Sequence, residues 1–147
     1  KCRDALGLFE MIQNVDSLRL AEELNRRAEQ AAKTMPILLE VNAVGEASKF
    51  GCRPDQLLAD LDRINALPRL EIQGLMTVPP WAIDPEKVRP VFRQMRELKA
   101  RCEQLLGAPL PHLSMGMTGD FEVAIEEGAT LVRIGTALFG ARPRAGA

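Results

Sequence analysis

The sequence predicts an α/β fold built on parallel strands, and three observations predict it. Helical and extended segments alternate along all 147 residues, with short connections between them. Extended runs such as PILLEVNA at 36–43 are almost continuously apolar, as in strands covered on both faces. Small, hydroxyl-bearing and proline residues cluster just after these runs, where parallel folds place their ligands.

Residues 3–11 read as a helix, with Leu6, Phe9 and Ile12 at helical spacing, and IQNVD at 12–16 as a short, weak strand. Asp16 or Ser17 caps a helix over 17–33 whose Leu20, Ala21, Leu24 and Ala28 share one face. PILLEVNA is the second strand, and the loop VGEASKFG follows it. Pro54 opens a helix with a stripe of Leu57, Leu58, Leu61 and Ile64. LEIQGLMTV at 70–78 is the third strand, stopped by Pro79-Pro80. Asp84 caps, and Pro85 opens, a long helix striped by Val88, Val91, Phe92, Met95, Leu98, Cys102 and Leu105, which Gly107 ends. HLSMGM at 112–117 is the fourth strand. Asp120 caps a short helix that stops at Gly128, and LVRIG at 131–135 is the fifth strand.

Strand–helix alternation implies right-handed crossovers and a parallel sheet. An open doubly wound sheet and part of a (β/α)8 barrel both accommodate five such strands. A full barrel typically needs about 250 residues, so on the barrel reading this chain supplies only the later part. The chain opens on KCRDALGLFEMI without an initiator methionine and reads as a fragment.

Composition narrows the partners. A net charge of −1 argues against nucleic acid or an anionic membrane surface. No apolar run reaches the length of a membrane span, and no signal peptide is visible. Cys2, Cys52 and Cys102 are odd in number and widely spaced, without CxxC or histidine pairing, which points to reduced cytoplasmic thiols and no metal site.

The chemistry concentrates at strand ends. In LVRIGTALFG at 131–140, Gly135 lets backbone approach an anion, and Thr136 offers a hydroxyl and an N–H at a helix N-terminus. Arg133, two residues earlier, shares a side of the strand with Gly135 and is either a ligand-facing cation or a structural ion-pair partner. SMGM with Ser114 and Met115, beside RIGT, suggests a phosphate cup made by consecutive strand ends. Met76, Met115 and Met117 read first as core filler. His112, the only histidine, precedes its strand end and is expected on the side away from catalysis. Lys49 reads as a solvated loop lysine and Trp81 as a loop anchor. No nucleophile–base pair stands out, so no catalytic residue is assigned.

The segments VDSLRLAEELNRRA (15–28), LLEVNAVGEASKFG (38–51), IQGLMTVPP (72–80) and LSMGMTGDFEVAIEEGATLVRIGTALFG (113–140) closely resemble the pyridoxal 5′-phosphate homeostasis proteins, relatives of the barrel domain of alanine racemase. The resemblance implies an alanine racemase-like TIM-type barrel, here its later part, with the cofactor at its C-terminal face. It implies intracellular buffering or delivery of pyridoxal phosphate, with apo-enzymes as recipients, a monomeric full-length protein and no turnover. By motif, Ser114, the Met115 backbone, Gly135 and Thr136 would hold the phosphate, Arg133 would face the pyridine nitrogen, and Asn42 and Met76 would line the ring pocket. Thr118 and Gly119 depart from the family pattern after SMGM, though a hydroxyl remains. The family's Schiff-base lysine falls upstream of Lys1, so the expectation is a single domain lacking the early strands and the covalent anchor, with an open sheet edge.

A racemase-like enzyme domain is the competing reading. That chemistry needs a tyrosine base from a second domain, and this chain contains no tyrosine. A sugar-phosphate barrel enzyme would need carboxylate or lysine catalysts at strand ends, and none is apparent.

Overall fold

The structure, a computed structural model, describes residues 2–45 and 50–140. Among them five parallel strands form a half-barrel in the order β1-β2-β3-β4-β5, so each strand pairs with its sequence neighbour. The strands are β1 (Ile12–Val15), β2 (Met35–Glu40), β3 (Leu70–Met76), β4 (His112–Met117) and β5 (Leu131–Arg133). Helices α1 (Cys2–Leu8), α2 (Leu18–Gln30), α3 (Pro54–Asn65), α4 (Arg89–Leu106), α5 (Phe121–Glu126) and α6 (Thr136–Phe139) alternate with them. The barrel reading therefore holds over the doubly wound one, whose sheet would reverse its strand order.

Side-chain alternation divides each strand between two faces. Ile37, Leu39, Leu75, Leu113 and Met115 face the helices and join one buried cluster with Leu24, Leu57, Leu61, Phe92 and Met95. Burying each such side chain contributes roughly 1.5–3 kcal/mol as an upper bound, which makes this face the main source of stability. Leu38, Glu40, Met76 and Ser114 are equally buried but lie outside that cluster, on the inner face.

Local chemistry explains the element ends. Ser17 caps α2 by accepting from the Leu20 N–H at 3.3 Å. Lys33 donates to the carbonyls of Leu6 (2.9 Å) and Phe9 (3.3 Å), satisfying the end of α1. Asn25 accepts from the Arg69 N–H at 2.8 Å and ties α2 to the entry of β3. Gly74 is required where β3 meets β4: a Cβ there would lie 1.9 Å from the His112 carbonyl oxygen, at a φ of +157°.

Several expectations change. The helix starting at Pro85 begins as a 3₁₀ turn, Pro85–Val88, and becomes α-helical only at Arg89. Pro90 has no N–H to give the Glu86 carbonyl, and the Arg89 N–H bonds it in tighter 3₁₀ fashion instead. Asp120 stands at the N-cap of α5, but its carboxylate accepts from the Met117 N–H at 2.7 Å, and so closes the preceding turn. Leu105 is exposed, having rotated past the buried stripe of α4. The fifth strand keeps only three residues because the chain turns away at Ile134. Trp81 is 84% exposed and anchors nothing: Pro79-Pro80 carries the chain outward before it.

Among the described residues, no helix is long and apolar enough to cross a membrane, and no cluster of His, Cys, Asp and Glu is suited to a metal ion. Cys52 and Cys102 are free thiols, and burial pushes them up to about 12 and about 11, which favours the protonated form.

Candidate functional site

The carboxyl ends of β3, β4 and β5 open into a cleft of about 540 Å³. Its walls are Val78–Ala82 after β3, Met117–Asp120 after β4, and Arg133, Gly135 and Thr136 at the end of β5. The position follows from parallel topology: every strand runs the same way, so all βα connections with these turn residues collect at one rim.

Arg133 organises the floor. Its Nη1 donates to Ser114 Oγ at 2.6 Å and its Nη2 to the Thr77 carbonyl at 2.7 Å. Ser114 Oγ in turn donates to Gln13 Oε1 at 2.8 Å, so a chain of hydrogen bonds runs from β5 across β4 to β1. Thr77 is fixed separately, its hydroxyl donating to the Val41 carbonyl at 2.7 Å. Between the two readings of Arg133, the structure favours a guanidinium held by neutral oxygens: among the described residues no carboxylate forms an ion pair with it. Burial disfavours its charge, and Glu40 and Asp120 partly restore it, leaving a shift below the ordinary arginine value. The guanidinium remains a cation at physiological pH.

At the rim, Thr118 Oγ1 sits over the start of α6. It accepts from the N–H groups of Gly135 (3.3 Å) and Ala137 (3.4 Å), both long contacts at exposed positions. The hydroxyl oxygen thus serves as acceptor for N–H groups that a helix start leaves without an intrahelical partner.

The site residues expected from sequence separate into two groups. Arg133, Gly135 and Thr136 share the cleft, with Ser114 directly beneath through Arg133. The Met115 side chain is fully buried on the helix side, and Met115 does not line the cleft. Met76 is buried on the inner face. Asn42 lies past β2, where its Oδ1 accepts from the Gly45 N–H at 2.9 Å and shapes the loop. Neither Met76 nor Asn42 lines the cleft. His112 begins β4, at the end away from the cleft. Lys49 lies outside the described residues.

Sequence reading missed Gln13 and Glu40, and gave Thr77 a place at its strand end without a role. Glu40 is 9% exposed, and its carboxyl lies above the ordinary value because of burial and then the charge of Asp16, with Arg133 opposing both. An acidic residue closing an otherwise apolar run was the one available signal for it.

The chain belongs to the alanine racemase N-terminal domain family, whose pattern it matches over residues 3–143. Among curated proteins it is 46% identical to a pyridoxal phosphate homeostasis protein of Aquifex aeolicus over 97% of this chain, and 41% identical to one of Pseudomonas aeruginosa over 97%. The chain spans about three-fifths of the length of these relatives, 62% and 60%. Among solved structures it is similar to PipY of Synechococcus elongatus without PLP, with a TM-score of 0.89 at 36% identity over 95% of this chain and 66% of that one. PipY with PLP bound gives 0.86 at 35% identity, over 95% and 65%. An alanine racemase of Clostridium difficile, with a TM-score of 0.77 at 14% identity over 97% of this chain and 37% of that one, shares the fold.

Proposed function

We propose that this chain binds pyridoxal 5′-phosphate at the carboxyl ends of β3 to β5 and serves its intracellular carriage or buffering without turnover. The observation that carries the proposal is the placement of Arg133 beside the Gly135–Thr136 helix start in one cleft of about 540 Å³. A fixed cation and backbone N–H groups at a helix start, sharing one cleft, suit a ligand with both a phosphate and a ring acceptor. Relatives named for pyridoxal phosphate homeostasis, and PipY solved with PLP, support the same ligand.

In this reading Gly135, Thr136 and Thr118 surround the phosphate. Ser114 holds Arg133 at the ring nitrogen, while Met76 and Asn42 lie outside the cleft lining and contribute no ring contact. Bound pyridoxal phosphate supplies an electron-withdrawing ring, and a guanidinium at its nitrogen keeps that nitrogen unprotonated and the ring a weak electron sink. Carriage suits that arrangement better than carbanion chemistry does. The chain forms the later part of a single barrel domain, and the full-length protein is a monomer working in the cytoplasm, with pyridoxal phosphate-dependent apo-enzymes as recipients.

The test uses Trp81, the only tryptophan, which lines the cleft. Titration with pyridoxal phosphate quenches its emission saturably. Arg133→Ala and Thr136→Ala each weaken binding, the arginine change by about tenfold or more, as for a hydrogen bond from a charged donor. Unchanged affinity in both variants overturns the assignment.

A further inference from the structure

The inner face of the half-barrel buries one charged side chain that the proposed binding role does not use. Glu40 closes β2, and because Leu39 before it joins the helix-side core, alternation turns Glu40 inward. Its Cα pairs in register with Met76, and Met76 pairs with Ser114, the residue that receives Arg133. Glu40 and Arg133 therefore share one face, separated by Met76 and Ser114. Among the described residues no donor hydrogen-bonds the Glu40 carboxylate, and no direct ion pair joins it to Arg133. The Glu40 oxygens keep some contact with solvent, since His112 Nδ1 is the one sealed side-chain polar atom without a partner among the described residues, but at 9% exposure the carboxylate is poorly hydrated and gains from a nearby cation.

The guanidinium, for its part, has already crossed β4 and reached the Thr77 carbonyl at the end of β3, the strand next to β2. Two carboxylates act on it at a distance, Glu40 from the interior and Asp120 from the rim of the cleft. The charged groups acting on Glu40 are Asp16, just past β1, and Arg133 on β5, while its inner-face neighbours Gln13, Met76 and Ser114 are neutral.

We propose that Glu40 is a positioning residue for Arg133: from the interior it draws the guanidinium over Ser114 to Thr77, and so keeps it from swinging outward to Asp120 and solvent. The inference rests on the pyridoxal phosphate reading for its ligand measurement alone.

Two measurements test it. The first needs no ligand: carboxyl NMR follows the titration of Glu40 in the wild-type chain and in Arg133→Gln. The midpoint of Glu40 rises when the guanidinium is removed; an unmoved midpoint overturns the proposal. The second follows pyridoxal phosphate binding by Trp81 quenching against pH, in wild type and in the near-isosteric Glu40→Gln. Above the Glu40 midpoint the variant binds about fivefold more weakly, within the range for coupled neighbours. As pH falls, the wild type loses this advantage and the curves converge; the ligand phosphate, which titrates near pH ~6, affects both equally and cancels. Equal affinity at all pH values overturns the proposal. If the wild type itself does not bind, the functional reading fails while the NMR titration still decides the Glu40–Arg133 coupling.

Discussion

The inner face of the sheet and the outer helical ring each bury a glutamate, and they treat it in opposite ways. Glu127, at the end of α5, accepts from Arg96 (2.8 Å), Arg89 (3.2 Å) and Arg93 (3.4 Å). Burial opposes its ionisation most strongly, yet the Arg89 and Arg93 hydrogen bonds and the charges of Arg93 and Arg96 outweigh it, so the carboxyl lies below its ordinary value. Glu40 receives no such bonds, and burial raises it. The outer ring completes its own pairing, while the inner face leaves charge and hydrogen-bonding capacity unspent. That difference separates the part of the half-barrel whose charges are paired within the fold from the part where the proposed ligand site lies.

The comparison breaks most visibly in the helix-side core. Phe92 is fully buried there, and Phe92→Ala should cost about 3–5 kcal/mol in denaturant unfolding. A loss below about 1 kcal/mol would mean that this face does not carry the stability. On the inner face the expected effect is smaller. Ser114→Ala removes the hydroxyl shared by Gln13 and Arg133 and should cost about 1–2 kcal/mol. A cost equal to that of Phe92→Ala would erase the distinction between the faces.

The smallest effect at neutral pH, and the sharpest in sign, comes from the two glutamates. Glu40 has a raised pKa in the folded chain, so its contribution is full below the ordinary value of 4.5 and is lost as pH rises through the folded value. Glu127 has a lowered pKa, so its contribution is present above 4.5 and is lost as pH falls through the folded value. Thermal midpoints of Glu40→Gln and Glu127→Gln against pH should therefore diverge from wild type in opposite directions. Relative to wild type, Glu40→Gln gains as pH rises, and Glu127→Gln loses the advantage that wild type holds above the acid range. The Glu127 effect stays modest because Arg93 and Arg96 are 54% and 49% exposed and therefore screened. Parallel curves would refute the contrast.

Much of this was legible before folding. The apolar runs at 36–43, 70–78 and 112–117 showed the strands, and Ser17, Pro54 and Gly107 marked helix ends through local hydrogen bonding and backbone freedom. Arg133, Gly135 and Thr136 were visible as a strand end feeding a helix start. What escaped were contacts between residues distant in sequence. Ser114 meets Gln13 across 101 positions and Arg133 meets Thr77 across 56, and no local pattern encodes either. Trp81 was misread for a related reason: its large apolar ring suggests burial, but Pro79-Pro80 sends it to the mouth of the cleft.

Periodicity and turn chemistry, which act over a few residues, were sufficient to set the strand–helix order and the end of the sheet where a ligand would lie. The curvature that brings β1 within reach of β4, the division of each strand into a helix-side core and a polar interior, and the encounter of Arg133 with Ser114, Thr77 and the field of Glu40 arise only on folding. They depend on register and burial, which exist once separate strands share one sheet.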